Sequence, residues 1–407
     1  MVRTNRRRRA FRADVLFRLR RVGKKGNGFN REGGRVRQII KAWLMVLAIC
    51  LGGAQPSCSN KSEQSQSAQK TGSFDDSRVN IRPLFRIRDI VELESGRGRL
   101  ISFPFDICVD GDQVFISSRS TTIKVFDLKG RFLRSIGRLG DGPGEYRDIT
   151  ALFSVGSDRV GIYDANLYRL TVFTLQGDYV WSKRFALPHV FSIRSIEYYD
   201  GRFYFHVPPS EKHPFYLIVT NEDLHILHQC VAASADYKGY FHFGYITGSV
   251  VVDSNRGKLY DINGFSYRPA MIDLTTWETT YLEYHQPSFF RTIAPIRNVP
   301  DNIDQVSESF RQGTDVFRAF LLNGRYLLIE FDDQHGPGAL VQTYYVVLDL
   351  NTEKSYTGSD RESHPYYSDG KYLYDLFYSG RSPTSEEDDY VRNPRLIVYE
   401  LIEPPQK

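Results

Sequence analysis

This 407-residue chain has only four cysteines, at positions 50, 58, 108 and 230. No Cys-x-x-Cys pair and no His/Cys spacing suggests a zinc site. Cys108 and Cys230 fall in different segments of a repeating pattern, so buried free thiols are expected and a structural disulfide is not. No apolar run is long enough to cross a bilayer. The longest uncharged stretch, Ala42 to Ala54, has 13 residues, short of the ~20 a spanning helix needs. There is no Gly-Lys-Ser/Thr loop opening a helix and no βαβ unit, so Gly140-Asp-Gly-Pro-Gly-Glu145 reads as a structural crossover rather than a phosphate cradle. A basic excess is missing from most of the chain. Residues 1–41 hold 15 Lys/Arg and 2 Asp/Glu, whereas the remainder holds 38 basic and 46 acidic residues. The body is therefore mildly acidic and lacks a nucleic-acid footprint.

What is present at the N-terminus is an address. Arg35, Arg37 and Lys41 precede the short apolar stretch, as in a secretory signal. Gln55-Pro-Ser-Cys58 follows, and then a Ser/Gln/Lys-rich segment. This resembles a bacterial lipoprotein signal, which implies cleavage before Cys58 and acylation of its thiol. Gln55 stands where an aliphatic residue is usual. Cys50 is the weaker alternative, and an ordinary secretory peptide is the bland one. The division expected is a basic extension and signal over 1–57, a flexible tether over 58–80 and a folded body over 81–407.

The body repeats one unit six times. Tight turns recur at Asp110-Gly111, Ser157-Asp158, Asp200-Gly201, Arg256-Gly257, Asn323-Gly324 and Asp369-Gly370. Asp-Gly and Asn-Gly suit hairpins with positive φ. Aromatic-rich strands follow each turn, such as Phe203-Tyr-Phe205, and then strands such as Val125-Phe-Asp-Leu128 and Val346-Val-Leu-Asp-Leu350. A period of 40-odd residues, stretched twice, predicts one four-stranded antiparallel blade per repeat and an all-β, six-bladed β-propeller. The sixth copy is short. The lone strand Leu84–Glu94 is expected to close it as its outer strand. A β-sandwich is the competing fold.

Val125-Phe-Asp-Leu-Lys-Gly-Arg-Phe-Leu-Arg-Ser-Ile-Gly-Arg-Leu-Gly-Asp-Gly-Pro-Gly-Glu-Tyr146 and Asn393-Pro-Arg-Leu-Ile-Val-Tyr-Glu-Leu401 resemble the six-bladed β-propeller lipoproteins of Bacteroidetes-type bacteria, which are distantly NHL-like. The resemblance spans about 84–402. It implies architecture and an envelope location, and it carries no catalytic residues. An acidic run directly after Cys58 would favour surface export in such bacteria. None is present, which tilts the expectation toward the periplasmic side of the outer membrane.

In a propeller, the turns between the first and second and the third and fourth strands of each blade share one face. The remaining connections share the other. Here the first set is short throughout and the second holds nearly every insertion. Binding usually resides on loops carried by a rigid scaffold. The elaborated face is therefore expected to hold the site, around the channel mouth. Candidate ligand-binding residues there are Arg119, Arg147, Asp164, Asn166, Tyr168, His206, His213, Arg268, Asp332 and His335. Taken singly, each is more readily a solvated loop residue. Glu386-Glu-Asp-Asp389 lacks calcium-loop spacing and reads as a solvated tip. Ile303, Val306 and Phe310 would share one face of a helix laid over the blades.

The reading favoured is a non-catalytic scaffold binding a glycan, a peptide or an envelope protein, with no cofactor and no metal. The alternative is a metal-dependent hydrolase or lactonase in which Asp164, Asn166, Asp253, Asp332 and His206 converge on the channel. A structural subunit of an envelope complex is a third.

Overall fold

The computed structural model describes residues 75–80, 84–101, 104–118, 122–185, 193, 195–241, 248–298, 303–333, 342–360, 365–377 and 392–403. Cys58, Arg119, His335 and the 386–389 cluster lie outside them.

Six sheets of antiparallel strands follow one another along the chain. Blade 1 comprises Pro104–Asp110, Gln113–Ser118, Ile123–Asp127 and Phe132–Ile136, named from the axis outward. Blade 2 comprises Ile149–Val155, Arg159–Asp164, Arg169–Thr174 and Tyr179–Arg184. Blades 3, 4 and 5 begin with the inner strands Ser195–Tyr199, Gly248–Asp253 and Thr314–Leu322. Blade 6 begins with the two-residue strand Tyr367–Ser368 and ends at Arg395–Leu401. Neighbouring inner strands touch all the way round, and blade 6 meets blade 1 to close the ring. The sandwich alternative is thereby replaced by the six-bladed propeller.

Closure of the last blade is as expected. Phe85–Glu92 pairs antiparallel with Arg395–Leu401, so the chain ends are joined within one sheet and its edge is covered. A second N-terminal strand was not foreseen. Asp75–Asn80, within the stretch read as tether, runs parallel to Lys354–Asp360 on the outer edge of blade 5.

The core lies between the blades. Middle strands are buried on both faces, for example Gln113–Ser118 and Tyr326–Asp333. Six apolar clusters fill the interfaces, each drawing on adjacent blades. The helix Ile303–Gln312 packs Val306 and Phe310 against Tyr240, Phe265 and Ile293, which is the covering role expected of it. Cys108 and Cys230 are buried and free.

The turns explain the short face. Asp200, Gly201, Asn323 and Gly324 all have positive φ, as type I′ hairpins require. The outer turns repeat a different device. Asp127 Oδ1 accepts the N–H groups of Lys129 and Arg131, Asn221 Oδ1 those of Asp223 and His225, and Asp349 Oδ1 those of Asn351 and Thr352. Each such side chain folds the backbone back on itself.

Candidate functional site

A propeller leaves the inner edge of each blade facing the channel, with N–H and C=O groups no further strand can pair. Here side chains of the preceding blade meet several of them. Asp106 of blade 1 accepts the Leu152 N–H of blade 2 at 3.0 Å. Ser195 of blade 3 accepts the Val250 N–H of blade 4 at 2.9 Å. Arg318 of blade 5 donates to the carbonyl of Tyr366, next to the inner strand of blade 6.

The same residues build a charged centre. Arg318 Nη1 also reaches Asp106 Oδ1 at 3.3 Å, past the abbreviated blade 6, and its guanidinium lies over the Tyr366 ring. A β-bulge precedes each charged residue. The register slips between Pro104 and Asp106, and again between Val316 and Arg318. In both cases a Phe is the extra residue, and the bulge re-aims the side chain that follows. Glu330 is the cross-strand partner of Arg318 and is fully buried. The carboxylates of Asp375, Asp106 and Glu330 all lie close enough to act on Tyr366, whose hydroxyl burial raises to about 12 against the opposing pull of Arg318. Burial also raises the Asp106 carboxyl to about 6, although Arg318 and two backbone N–H groups pull it down. Glu197, on the inner strand of blade 3, is half-buried. Burial alone lifts its carboxyl to about 7. Asp106 is near the start of its strand and Tyr366 just precedes its own, so this centre lies toward the elaborated-face end of the channel.

Several of the predicted residues surround that face on separate blades. Arg147 is exposed and pairs with Asp141 across the first crossover. Asp164 is fully buried and accepts the N–H groups of Arg147, Asn166 and Leu167 at 2.6, 2.9 and 3.0 Å. It shapes the loop that carries Asn166, which is exposed, and Tyr168, which sits at φ 50. His206 is buried and shares a 2.7 Å hydrogen bond between Nδ1 and Asp261 Oδ1, linking blades 3 and 4. His213 Nδ1 lies 3.2 Å from Gln229 Oε1. Arg268 donates to Glu283 at 3.1 Å and to the Tyr267 hydroxyl at 3.2 Å. Asp332 accepts from Thr343 Oγ1 at 3.3 Å.

Arg147, Asp164, Asn166 and Tyr168 thus form one neighbourhood, while His206, His213, Arg268 and Asp332 stand on three further blades. Among the described residues, no group of three or more His, Cys, Asp or Glu side chains is placed to hold a metal ion. Sequence reasoning missed Asp106, Glu197, Arg318 and Tyr366. A signal existed for three of them: a charge inside an otherwise apolar inner strand, as in Pro-Phe-Asp106-Ile, Ile-Glu197-Tyr and Val-Phe-Arg318-Ala.

A closed ring of six blades, with one plain and one elaborated face, defines the class as a six-bladed β-propeller. Within it, residues 72–386 match the model of a domain of unknown function, DUF4934, and the chain belongs to that family. No curated protein matches it by sequence. Two crystal structures share the fold. A Bacteroides fragilis protein described as exported is 15% identical, with a TM-score of 0.55 over 81% of this chain and 98% of that one. A member of the duf4221 family from Bacteroides vulgatus is 10% identical, with a TM-score of 0.53 over 79% and 98%. Among the described residues, no helix is long and apolar enough to cross a membrane.

Proposed function

We propose that this chain is a lipid-anchored envelope protein, of the NHL-like lipoprotein kind its blades resemble. It binds a ligand or partner on its elaborated face without catalysing a reaction there. The observation that carries this reading is the asymmetry of the connections. Blades 2 to 5 have inner turns of two to four residues, whereas the crossover before blade 5 runs from Leu282 to Gly313. Tight turns of that kind suffice to build the wheel, so the long connections are the part that construction does not require. The face they form carries charge of both signs and aromatic edges, as in Arg147, Arg268, Asp141, Glu283 and Tyr267. These suit a glycan, a peptide or an envelope protein as partner.

Anchoring through Cys58 places the protein in the outer membrane, with the periplasmic side preferred. The fold shared with a Bacteroides fragilis protein described as exported supports an envelope role. The test is binding of the unanchored mature chain, made with Cys58→Ala, to an oligosaccharide array and a peptide library. Saturable binding that Arg147→Ala or Arg268→Ala weakens tenfold is expected. One equivalent of tightly held metal in the purified protein would overturn this reading in favour of a metal-dependent enzyme. For the anchor, palmitate incorporation should vanish in Cys58→Ala, and label that persists would refute it.

A further inference from the structure

The topology fixes the face from which the N-terminal segment enters the body. Phe85, the first residue of the closing strand, pairs with Leu401, the last residue of the third strand of blade 6. Third strands run from the elaborated face to the plain one, so Phe85 lies at the plain face. Upstream, Asp75 pairs with Lys354, which directly follows the outer turn Leu350–Glu353 of blade 5. That turn also belongs to the plain face. Two independent pairings, one antiparallel and one parallel, bring the chain in at the same face and at neighbouring blades.

We infer that the plain face is turned toward the membrane and the elaborated face away from it. The inference rests on the anchoring reading through Cys58. Cys58 and Asp75 are 17 links apart. A Ser/Gln-rich chain of that length has a root-mean-square span of about 23 Å. The tether leaves from the outer edge of blade 5, where the strand Lys354–Asp360 of seven residues sets a rim height of about 23 Å, so a tether of average span that climbed the rim would be used up before it met a bilayer on the far side. It holds the entry point, and with it the plain face, nearest the bilayer.

Charge acts in the opposite sense without reversing the result. Acidic residues outnumber basic ones on the plain-face turns, Asp112, Asp158, Asp200, Asp223 and Asp369 among them. An anionic leaflet repels them. That repulsion is screened within ~8 Å at physiological ionic strength, well inside the tether's span. It keeps the face standing off the surface and does not turn it over. The partner the elaborated face meets is therefore a molecule of the aqueous space or of another envelope component, rather than the lipid that carries the anchor.

The experiment uses the full mature, lipidated chain on vesicles of phosphatidylethanolamine and phosphatidylglycerol that carry a headgroup energy acceptor. The native Cys108 and Cys230 are buried, so single labels are placed through Asp112→Cys on the plain face and Lys212→Cys on the elaborated face, in the connection between the second and third strands of blade 3. Both sites are exposed. At least twofold greater energy transfer from position 112 than from position 212 is expected. Equal transfer, or greater transfer from position 212, with the protein bound to the vesicles, overturns the orientation alone. A lipidated chain that does not sediment with the vesicles overturns the anchoring reading, and the orientation falls with it.

Discussion

At the scale of single residues, burial of charge near the axis is the feature most open to test. Glu197 has its carboxyl raised to about 7 by burial. A carboxyl raised in the folded state favours folding fully below its unfolded pKa of about 4.3. That contribution is lost as pH rises through the folded value. Glu197→Gln removes the charge and keeps the shape. It should stabilise the protein by ~1–2 kcal/mol at pH 8 and leave it nearly unchanged at pH 4.5, as read from urea midpoints. Equal effects at both pH values would contradict the assignment. The turn position at φ 54 in blade 5 gives a second case. Gly130 and Gly177 occupy the corresponding turns of blades 1 and 2, but blade 5 has Glu353 there. An L-residue in this region costs roughly 1–2 kcal/mol, partly offset by the greater entropy glycine loses. Glu353→Gly is expected to raise stability by ~0.5 kcal/mol, where a substitution in an extended segment would lower it.

At the scale of elements, the outer turns and the bulges set the blades. Asp349 holds Arg325 through two hydrogen bonds, of 2.9 and 2.6 Å, and also caps its own turn. Burial pushes its carboxyl up, but Arg325 and the turn hydrogen bonds prevail and hold it at about 2. Its stabilisation is therefore present above its unfolded pKa of about 3.9 and fades as pH falls toward 2. Asp349→Ala should cost ~2–3 kcal/mol at pH 7 and far less at pH 2, measured by denaturant titration. Much of this level could be read in the sequence. Asp200-Gly201 and Asn323-Gly324 announce their hairpins, and the spacing of Ile303, Val306 and Phe310 announces the helix. The bulges could not be read. An extra Phe before Asp106 or Arg318 is silent until the register of two strands is known, and the strand Asp75–Asn80 depends on the edge strand Lys354–Asp360, far along the chain. The elaborated face was legible in the sequence, and the contacts its residues make were not. Asp164 and His206 were picked for their chemistry, and only packing reveals that one caps a loop and the other bridges two blades.

At the scale of the whole molecule, closure is the mechanical requirement. Removing residues up to Glu94 deletes the strand paired with Arg395–Leu401 and leaves that edge open. Such a chain should lose ~10 °C or more in melting temperature and aggregate, because an unpaired strand edge invites pairing with other chains. A truncated chain that melted like the parent would show that the ring does not depend on this strand. The larger claim concerns the division of labour between the faces. In the proposed reading, turns on one side build the wheel, and insertions on the other present the binding surface. The most direct measurement is amide hydrogen exchange of the mature chain with and without the best binder from the oligosaccharide and peptide screens. The account predicts protection in the connections at 137–147, 207–214, 264–269 and 282–298. Protection confined to the plain-face turns at 111–112, 128–131, 222–225 and 274–278 would contradict it.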